Sequence, residues 1–423
     1  MEPLYRLAQG STSIEIYGGY REIGGNCVVI RDGDRKLVLD NGIRFSILRK
    51  YYRGGLQPLG VAELRQVGAV QHPEVFKGAD AVYISHTHLD HLGLLGTLPP
   101  GLKLYAPSKE ILGVVEKWYM ASPTWLAEVP HREGLEISEA RPGSEDDLGV
   151  EAIPISHSSY PSYAYIYRGR EASIFYSGDL RVRGPGTLSP NTLAEIERTV
   201  GSEGVDIAII EGTNIGWVET PIGPDDFKRM VWDVIGESDL AVISVDAVDA
   251  ELLAAVLEII YIYGRKAVIA SPRIADIASH LPSSIPKPAI ALEVEKSPPP
   301  GFELVSLEDE ILSRLGEYVV LQDPEDFLNI ARRMWLWGRS TPRKTAIILT
   351  TPEPLEAGAE ALEEAIANWT AKIGATIYRI RMSGHYYQHE LWKILEAVKP
   401  KKLIPIHTKA LQAMLSIFNK YRG

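Results

Sequence analysis

Cysteine is nearly missing from this chain of 423 residues, in which Cys27 is the one thiol. A single cysteine excludes an internal disulfide and a zinc site built from thiolates. A metal ion would therefore have to be held by imidazole nitrogen and carboxylate oxygen. Because no disulfide is expected, we predict a cytoplasmic location.

Long apolar runs and an excess of positive charge are missing as well. No segment approaches the roughly 20 consecutive apolar residues that a membrane-spanning helix needs, and residues 1–6 lack the basic-then-apolar pattern of a signal peptide. The formal net charge is −11. A polyanion such as a nucleic acid would therefore need a local channel and metal ions, not a surface that is basic all over.

The composition is that of an ordinary globular protein, with 45% apolar and 23% charged residues, and the length suffices for two domains or for one domain with a large insertion. The hydrophobic pattern changes at about residue 214. Before it, short apolar or alternating runs between glycine-rich turns predict a strand-rich region. After it, strands and helices alternate, which predicts βαβ units with a parallel sheet.

The strongest signal in the sequence is the run His86-Thr87-His88-Leu89-Asp90-His91, which follows a buried-strand pattern. Imidazoles and a carboxylate at this density are ligands that zinc accepts when thiolates are absent. Alternate residues of an extended segment point the same way, so His86 and His88 can hold one ion together. Asp90 and His91 then turn towards a neighbouring position. The alternative, a polar loop with solvated histidines, fits this density of ligands poorly.

Four residues cannot close two metal sites, so the remaining ligands should come from other strand ends. His157, Asp179 and His407 each follow directly on a predicted strand. Strand ends are where open α/β folds gather functional groups from distant parts of the chain. Taken singly, each residue has an ordinary alternative, a hydrogen-bonded buried histidine or a turn aspartate. Together they predict the missing ligands of a two-metal hydrolase.

The order of these residues resembles the motifs of the metallo-β-lactamase superfamily, and within it those of the β-CASP nucleases, as in ribonuclease J of the compact archaeal type. The resemblance covers almost the whole chain. The four general motifs match at Asp40, at His86, His88, Asp90 and His91, at His157 and at Asp179, and the three β-CASP motifs match at Glu211-Gly212-Thr213-Asn214, Ser383-Gly384-His385 and Pro405-Ile406-His407.

The resemblance implies two zinc ions and a role for each matched residue. The two ligand sets are His86, His88 and His157 for one ion and Asp90, His91 and His407 for the other, with Asp179 bridging both. Asp40 would orient ligands or the attacking water, and His385, supported by Glu211, would donate a proton to the leaving oxygen. The expected catalytic residues are therefore Asp40, Asp90, Glu211 and His385.

Two further residues are expected to contact the substrate. Arg181 follows Asp179 closely and could bind a phosphate group, with a solvated surface position as the alternative. Ser383, in the same motif as His385, could also contact a phosphate group.

The implied fold is α/β: a metallo-β-lactamase αββα sandwich with an inserted β-CASP α/β domain. We expect the sandwich to comprise residues 1–212 and 376–423, and the β-CASP domain to comprise residues 213–375. The implied partner is RNA, and no association with a membrane is expected. A homodimer is the one oligomer that we consider.

The implied function is a metal-dependent ribonuclease, 5′-to-3′ exonucleolytic, that uses a hydroxide activated by two zinc ions and a histidine general acid. His407 favours RNA over DNA, because β-CASP relatives that act on DNA tend to carry valine at that motif. The alternatives are an RNA endonuclease in 3′-end processing, a DNA nuclease, a small-molecule hydrolase on the same metal core and a scaffold without activity. A small-molecule hydrolase would need neither Glu211 nor His385, and a scaffold would not need every ligand position to be filled.

Overall fold

The computed structural model describes residues 2–52, 56–217, 221–293, 298–311, 313–324, 326–336, 344–350 and 359–423. The chain divides into two compact units. The first contains Met1–Arg183, Pro190–Thr220 and Gly384–Gly423, and the second contains Gly184–Ser189 and Pro221–Ser383. Among the helices of the described residues, none combines the length and the apolar character needed to cross a membrane.

The first unit contains two sheets. The seven-stranded sheet runs in chain order through β1 (Tyr5–Gln9), β2 (Thr12–Gly18), β3 (Cys27–Asp32), β4 (Arg35–Leu39), β5 (Ala81–Tyr83), β6 (Lys103–Ala106) and β7 (Glu136–Glu139). The five-stranded sheet has the order β19-β11-β10-β9-β8, with β8 at Val150–Ile155, β9 at Ser162–Arg168, β10 at Ser173–Tyr176, β11 at Val205–Glu211 and β19 at Pro400–Ile406.

A hydrophobic core lies between these two sheets, where Val28 and Leu39 of the first sheet pack with Tyr165 and Ile209 of the second. Side chains that alternate with this set point to the outer faces and are buried by helices. The helices of the unit are α1 (Phe45–Tyr51), α2 (Val61–Val67), α3 (Leu89–Leu92), α4 (Lys109–Tyr119), α5 (Thr192–Val200), α11 (Leu391–Val398) and α12 (Leu411–Arg422). This layering confirms the predicted αββα sandwich.

The strands β11 and β19 are parallel neighbours, although Pro221–Ser383 separates them in the sequence. Both strands are largely apolar, as strands buried on both faces of a sheet are. The second unit is therefore an insertion between two adjacent strands of the first unit.

The second unit is built on a seven-stranded sheet in the order β15-β14-β13-β16-β12-β17-β18, in which every neighbouring pair is parallel. Its strands are β12 (Leu240–Ser244), β13 (Lys266–Ile269), β14 (Ala289–Ala291), β15 (Leu304–Val305), β16 (Tyr318–Gln322), β17 (Thr345–Leu349) and β18 (Thr376–Arg379). Its helices are α6 (Pro224–Glu237), α7 (Ala250–Tyr263), α8 (Pro272–Ala278), α9 (Phe327–Leu336) and α10 (Ala359–Ile373). The parallel sheet predicted from the alternating pattern is confirmed.

The limits of the two units differ from the predicted domain limits. The strand β18 pairs with β17 in the sheet of the second unit. The second unit therefore extends to Ser383, beyond the predicted limit at residue 375. Gly184–Ser189 also belongs to the second unit, where the Ser189 hydroxyl donates to Glu251 Oε2 at 2.7 Å. Both differences arise from contacts between residues far apart in sequence, which a local pattern does not reveal.

Candidate metal centre

The predicted ligands lie at the carboxyl ends of strands in the first unit. Asp40 follows β4, His86 and His88 follow β5, His157 follows β8, Asp179 follows β10, and His407 follows β19, while Asp90 and His91 lie in the short helix α3. Because these strand ends meet at one edge of the sandwich, residues from five distant segments come together.

Three imidazoles form the first ligand group. His86 Nε2 lies 3.1 Å from His88 Nδ1, and His157 Nε2 lies 3.2 Å from the same His88 atom. His86 and His157 are fully buried. The three nitrogens face one point, as the sequence predicted for one metal ion.

The second ligand group combines two imidazoles with two carboxylates. His407 Nε2 lies 3.2 Å from Asp90 Oδ2 and 3.4 Å from Asp179 Oδ2. His91 Nε2 lies 3.1 Å from Asp179 Oδ2 and 3.9 Å from Asp90 Oδ2. The same Asp179 oxygen is 3.9 Å from His157 Nε2 of the first group. Asp179 therefore stands between the two groups, in the position that a bridging ligand needs.

Four of the expected ligand imidazoles make a hydrogen bond through Nδ1, the ring nitrogen that points away from the ligand group. The partners are Ser85 Oγ at 3.0 Å for His86, Asp40 Oδ2 at 2.7 Å for His91, the Gly384 carbonyl at 2.6 Å for His157 and Thr213 Oγ1 at 2.8 Å for His407. An Nδ1–H that donates outward leaves the Nε2 lone pair facing inward. That tautomer is the one that ligates a metal.

Asp40 is the most heavily bonded of these partners. It is buried, and its backbone has a left-handed φ of 60°. Ser85 donates to it twice, from the backbone N–H to Oδ1 at 2.7 Å and from the hydroxyl to Oδ2 at 2.8 Å. The Tyr176 hydroxyl donates to Oδ2 at 2.5 Å and accepts from Asn26 Nδ2 at 3.0 Å. Burial and the Asp40 charge raise the pKa of Tyr176 well above its ordinary value, so the phenol stays a donor.

Two buried atoms test whether these residues suit a metal. Among the described residues, neither His91 Nε2 nor Asp179 Oδ1 has a hydrogen-bond partner, although both are buried. Buried polar atoms are rarely left so unless something binds them. The closest donor atoms within the groups are 3.1–3.4 Å apart, near the roughly 3.3 Å expected between ligands about 2.0–2.1 Å from a tetrahedral ion. The residues fit a metal centre.

The ionisation of the two groups differs. Burial and the neighbouring imidazoles lower the pKa of His86 and of His157 well below its ordinary value, which keeps both rings neutral and able to ligate. For His91, burial acts in the same direction, but the carboxylates of Asp179 and Asp40 outweigh it and raise the pKa well above its ordinary value. Metal binding at the second group would therefore displace a proton.

A further imidazole and carboxylate adjoin the metal ligands. His385 Nδ1 lies 3.0 Å from Glu211 Oε1 and 3.9 Å from Asp179 Oδ2. Glu211 is fully buried and also accepts from the Thr213 backbone N–H at 2.8 Å. The His385 side chain is 17% exposed. One ring nitrogen is thus held by the carboxylate, and the ring itself reaches solvent.

The two predicted substrate contacts differ from the ligands in their placement. Arg181 is only 2% exposed, and its guanidinium donates to the backbone carbonyl of His157 at 3.0 Å. Arg181 therefore holds the backbone of His157, one of the expected ligands. Its burial does not suit a direct contact with the phosphate of an RNA strand. Ser383 is buried within the second unit, and its contact with phosphate stays a prediction.

Several residues of the site were not predicted from the sequence: Ser85, Tyr176 and Asn26 around Asp40, and the hydroxyl of Thr213 behind His407. Tyr176 ends an ordinary apolar strand, where a tyrosine is expected to belong to the core. Ser85 directly precedes His86 and Thr213 lies in the motif at 211–214, so closeness to predicted ligands was the one available signal.

Comparison with known proteins agrees with this geometry. Residues 60–226 match the beta-lactamase superfamily domain, and residues 370–414 match the Zn-dependent metallo-hydrolase RNA specificity domain. The first match contains residues of both ligand groups, and the second contains His407 of the second group.

Proteins named ribonuclease J are similar to this chain. The one from Pyrococcus abyssi is 27% identical over 216 residues, which cover 48% of this chain and 46% of the relative. The one from Corynebacterium glutamicum is 24% identical over 418 residues, which cover 94% of this chain and 54% of the relative. The chain thus spans about half the length of these two relatives.

The fold also has a counterpart among solved structures. A crystal structure of a protein of unknown function from Enterococcus faecalis superimposes with a TM-score of 0.73 at 21% sequence identity, covering 95% of both chains. This likeness shows that the fold of the chain recurs in another protein.

Proposed function

Because this chain belongs to the metallo-β-lactamase superfamily and is ribonuclease J-like over most of its length, we propose that it is a metal-dependent ribonuclease that hydrolyses RNA phosphodiester bonds. The observation that carries the proposal is the pair of His385 and Glu211 beside Asp179. Cleavage of a phosphodiester releases an alkoxide, which needs a proton from a positioned acid. A metallo-hydrolase for small esters has no need of such a pair next to its metal ligands.

The proposal includes two zinc ions. The first would be held by His86, His88 and His157, and the second by Asp90, His91 and His407, with Asp179 between them. Zinc ions bound there supply Lewis acidity, which lowers the pKa of water and offsets negative charge on phosphate. Asp40 holds the His91 ring in the tautomer that ligates.

The acid of the proposed reaction is His385. Glu211 accepts a hydrogen bond from Nδ1 of that ring, which fixes the ring plane and leaves Nε2 as the nitrogen that can donate to the leaving oxygen. Thr213 holds the other oxygen of Glu211 through its backbone N–H. The carboxylate is thus fixed on both sides and cannot swing away from the ring.

We further propose 5′-to-3′ exonucleolytic action. The test uses one RNA strand labelled at either end and carrying a 5′ mono- or triphosphate, incubated with the zinc-loaded protein. Release of labelled mononucleotides from the 5′ end at the earliest times is the expected result. A ladder of products from internal cuts would contradict the exonuclease and support the alternative, an RNA endonuclease in 3′-end processing.

Matched controls decide the substrate class in the same experiment. Single-stranded DNA of the same sequence should persist, and equal cleavage of DNA would contradict the preference for RNA. Intact RNA together with turnover of ester or lactam substrates would overturn the proposed function in favour of a small-molecule hydrolase. The proposed homodimer would appear in light scattering as twice the mass of one chain.

A further inference from the structure

Tyr176 stands at the inner end of a hydrogen-bond chain that reaches the second ligand group. It is the last residue of β10, and its ring is fully buried in the core between the two sheets. Its hydroxyl accepts from Asn26 Nδ2 at 3.0 Å and donates to Asp40 Oδ2 at 2.5 Å. Asp40 Oδ2 in turn accepts from His91 Nδ1 at 2.7 Å.

We propose that Tyr176 is a positioning residue for the metal ion of the second ligand group, acting through Asp40 and His91. The phenol fixes the Asp40 carboxylate in the orientation that holds His91 Nδ1, so that His91 Nε2 faces Asp179. This inference rests on the metal centre of the proposed function. Its test therefore measures zinc affinity and does not depend on RNA cleavage.

The surroundings of Asp40 explain why one more donor matters there. Its backbone lies in the left-handed region, with φ of 60°, which a residue other than glycine adopts only when its surroundings hold it. The carboxylate is fully buried and offers its Oδ2 to Ser85, His91 and Tyr176 together. Removal of the phenol hydroxyl takes away the acceptor of Asn26 Nδ2 and one of the donors that fix Asp40 Oδ2.

The hydrogen bonds connect Tyr176 more directly to the second ligand group than to the first. His91 contacts Asp40 directly, whereas His86 of the first group is joined to it only through the Ser85 hydroxyl. The outer nitrogen of His157 bonds to the Gly384 carbonyl, which has no part in this chain. Loss of the Tyr176 hydroxyl should therefore weaken the second ion more than the first.

The experiment compares Tyr176→Phe with Tyr167→Phe by titrating metal-free protein with Zn²⁺ against a chromophoric chelator. Tyr167 is an equally buried tyrosine on the neighbouring strand β9, and its hydroxyl also donates to an aspartate, Asp32 Oδ2, at 2.8 Å. The control thus removes the same kind of hydrogen bond from the same core. The expected result is that Tyr176→Phe weakens one of the two ions about tenfold, while Tyr167→Phe changes neither.

A second background identifies the weakened ion. In Asp90→Ala, where the ion of the second group should already be lost, adding Tyr176→Phe should leave the affinity of the remaining ion unchanged. Thermal unfolding of the metal-free proteins provides the stability reference, since Tyr176→Phe removes the hydrogen bonds to Asp40 and from Asn26, and Tyr167→Phe removes the one to Asp32.

Three results would overturn the inference: equal weakening of both ions, unchanged affinity in Tyr176→Phe, or the same loss of affinity in Tyr167→Phe. Failure of the proposed function looks different. Wild-type protein that binds two zinc ions and leaves RNA intact would contradict the ribonuclease but not the role of Tyr176. Wild-type protein that binds no zinc would overturn both.

Discussion

At the scale of single residues, His385 has one ring nitrogen held by Glu211 and contacts the edge of the metal ligands. It is not placed within either ligand group. We propose that His385 serves the reaction without holding a metal, unlike His407, 22 positions later in the chain.

We predict that His385→Ala keeps both zinc ions but lowers the rate of RNA cleavage by about 100- to 10,000-fold, the usual contribution of a positioned acid. The rate is measured on end-labelled RNA, and the zinc content by elemental analysis. His389→Ala is the matched control, because His389 is exposed and lies outside the ligand groups. Cleavage by the His385 variant at the wild-type rate would show that another group supplies the proton.

Cys27 illustrates how burial controls the one thiol of the chain. It is fully buried in β3, and burial, with the nearby Asp40 charge, raises the pKa of its thiol. Since the thiolate is the reactive form, a raised pKa leaves almost none of it at neutral pH.

We therefore expect native protein to resist a thiol reagent at pH 7–8 and to take up one equivalent once it is unfolded in guanidinium. The uptake is followed by the absorbance of the released thiolate. Rapid labelling of the folded protein would contradict the burial of this side chain.

At the scale of secondary-structure elements, the adjacent strands β11 and β19 deliver residues that act together. Thr213 follows β11, and His407 follows β19. The Thr213 hydroxyl lies 2.8 Å from His407 Nδ1 and donates to the His407 carbonyl at 3.4 Å. The pairing of two strands thus fixes the tautomer of the His407 ring.

Thr213→Val, which keeps the shape of the side chain but removes the hydroxyl, should weaken zinc at the second ligand group about tenfold. Thr213→Ser keeps the hydroxyl and should bind zinc like the wild type. Chelator competition measures both. If the valine and serine variants bound zinc equally well, the hydroxyl would have no part in holding His407.

Some residues of the site could be located from the sequence, and others could not. The expected metal ligands, Asp40 and Glu211 could be placed because they end or closely follow strands with a clear apolar pattern, or belong to the run that starts at His86. His385 could be placed by its motif, Ser383-Gly384-His385. The position of Arg181 could not be predicted, because the sequence beside Asp179 does not show that the Arg181 side chain turns inward to the His157 carbonyl. Tyr176 looked like any core tyrosine, since only the fold brings Asp40 to its hydroxyl.

The predicted limits of the inserted domain differ from the limits of the second compact unit for the same reason. Strand β18 has the sequence pattern of an ordinary strand, and its membership of the second unit depends on pairing with residues of β17 that lie 30 positions earlier, as in Ala346 with Thr376. Sequence periodicity gives the type of an element, but the neighbour of an edge strand is decided by contacts between distant segments.

At the scale of the whole molecule, all residues of the two ligand groups lie in the first unit. Zinc should therefore stabilise the folded form of that unit, because a ligand that binds only the folded state adds to its free energy of unfolding. At a concentration of 100 times the dissociation constant the gain is about 2.7 kcal/mol for each ion.

We predict that adding zinc to metal-free protein raises the melting temperature of the transition that includes the first unit by several degrees. Scanning calorimetry with and without zinc measures the shift. Asp90→Ala, which should lose one ion, is expected to shift less. An unchanged melting temperature in the wild type would contradict binding at these residues.

The insertion between β11 and β19 sets the timing of assembly during synthesis. When Glu211 has left the ribosome, every ligand is present except His407. At about 5–20 residues per second, the roughly 190 residues that follow take about 10–40 s to translate. The second ligand group therefore cannot close on the nascent chain until the inserted unit has been made, so we expect its ion to be loaded late, after the ligands of the first group are already in place.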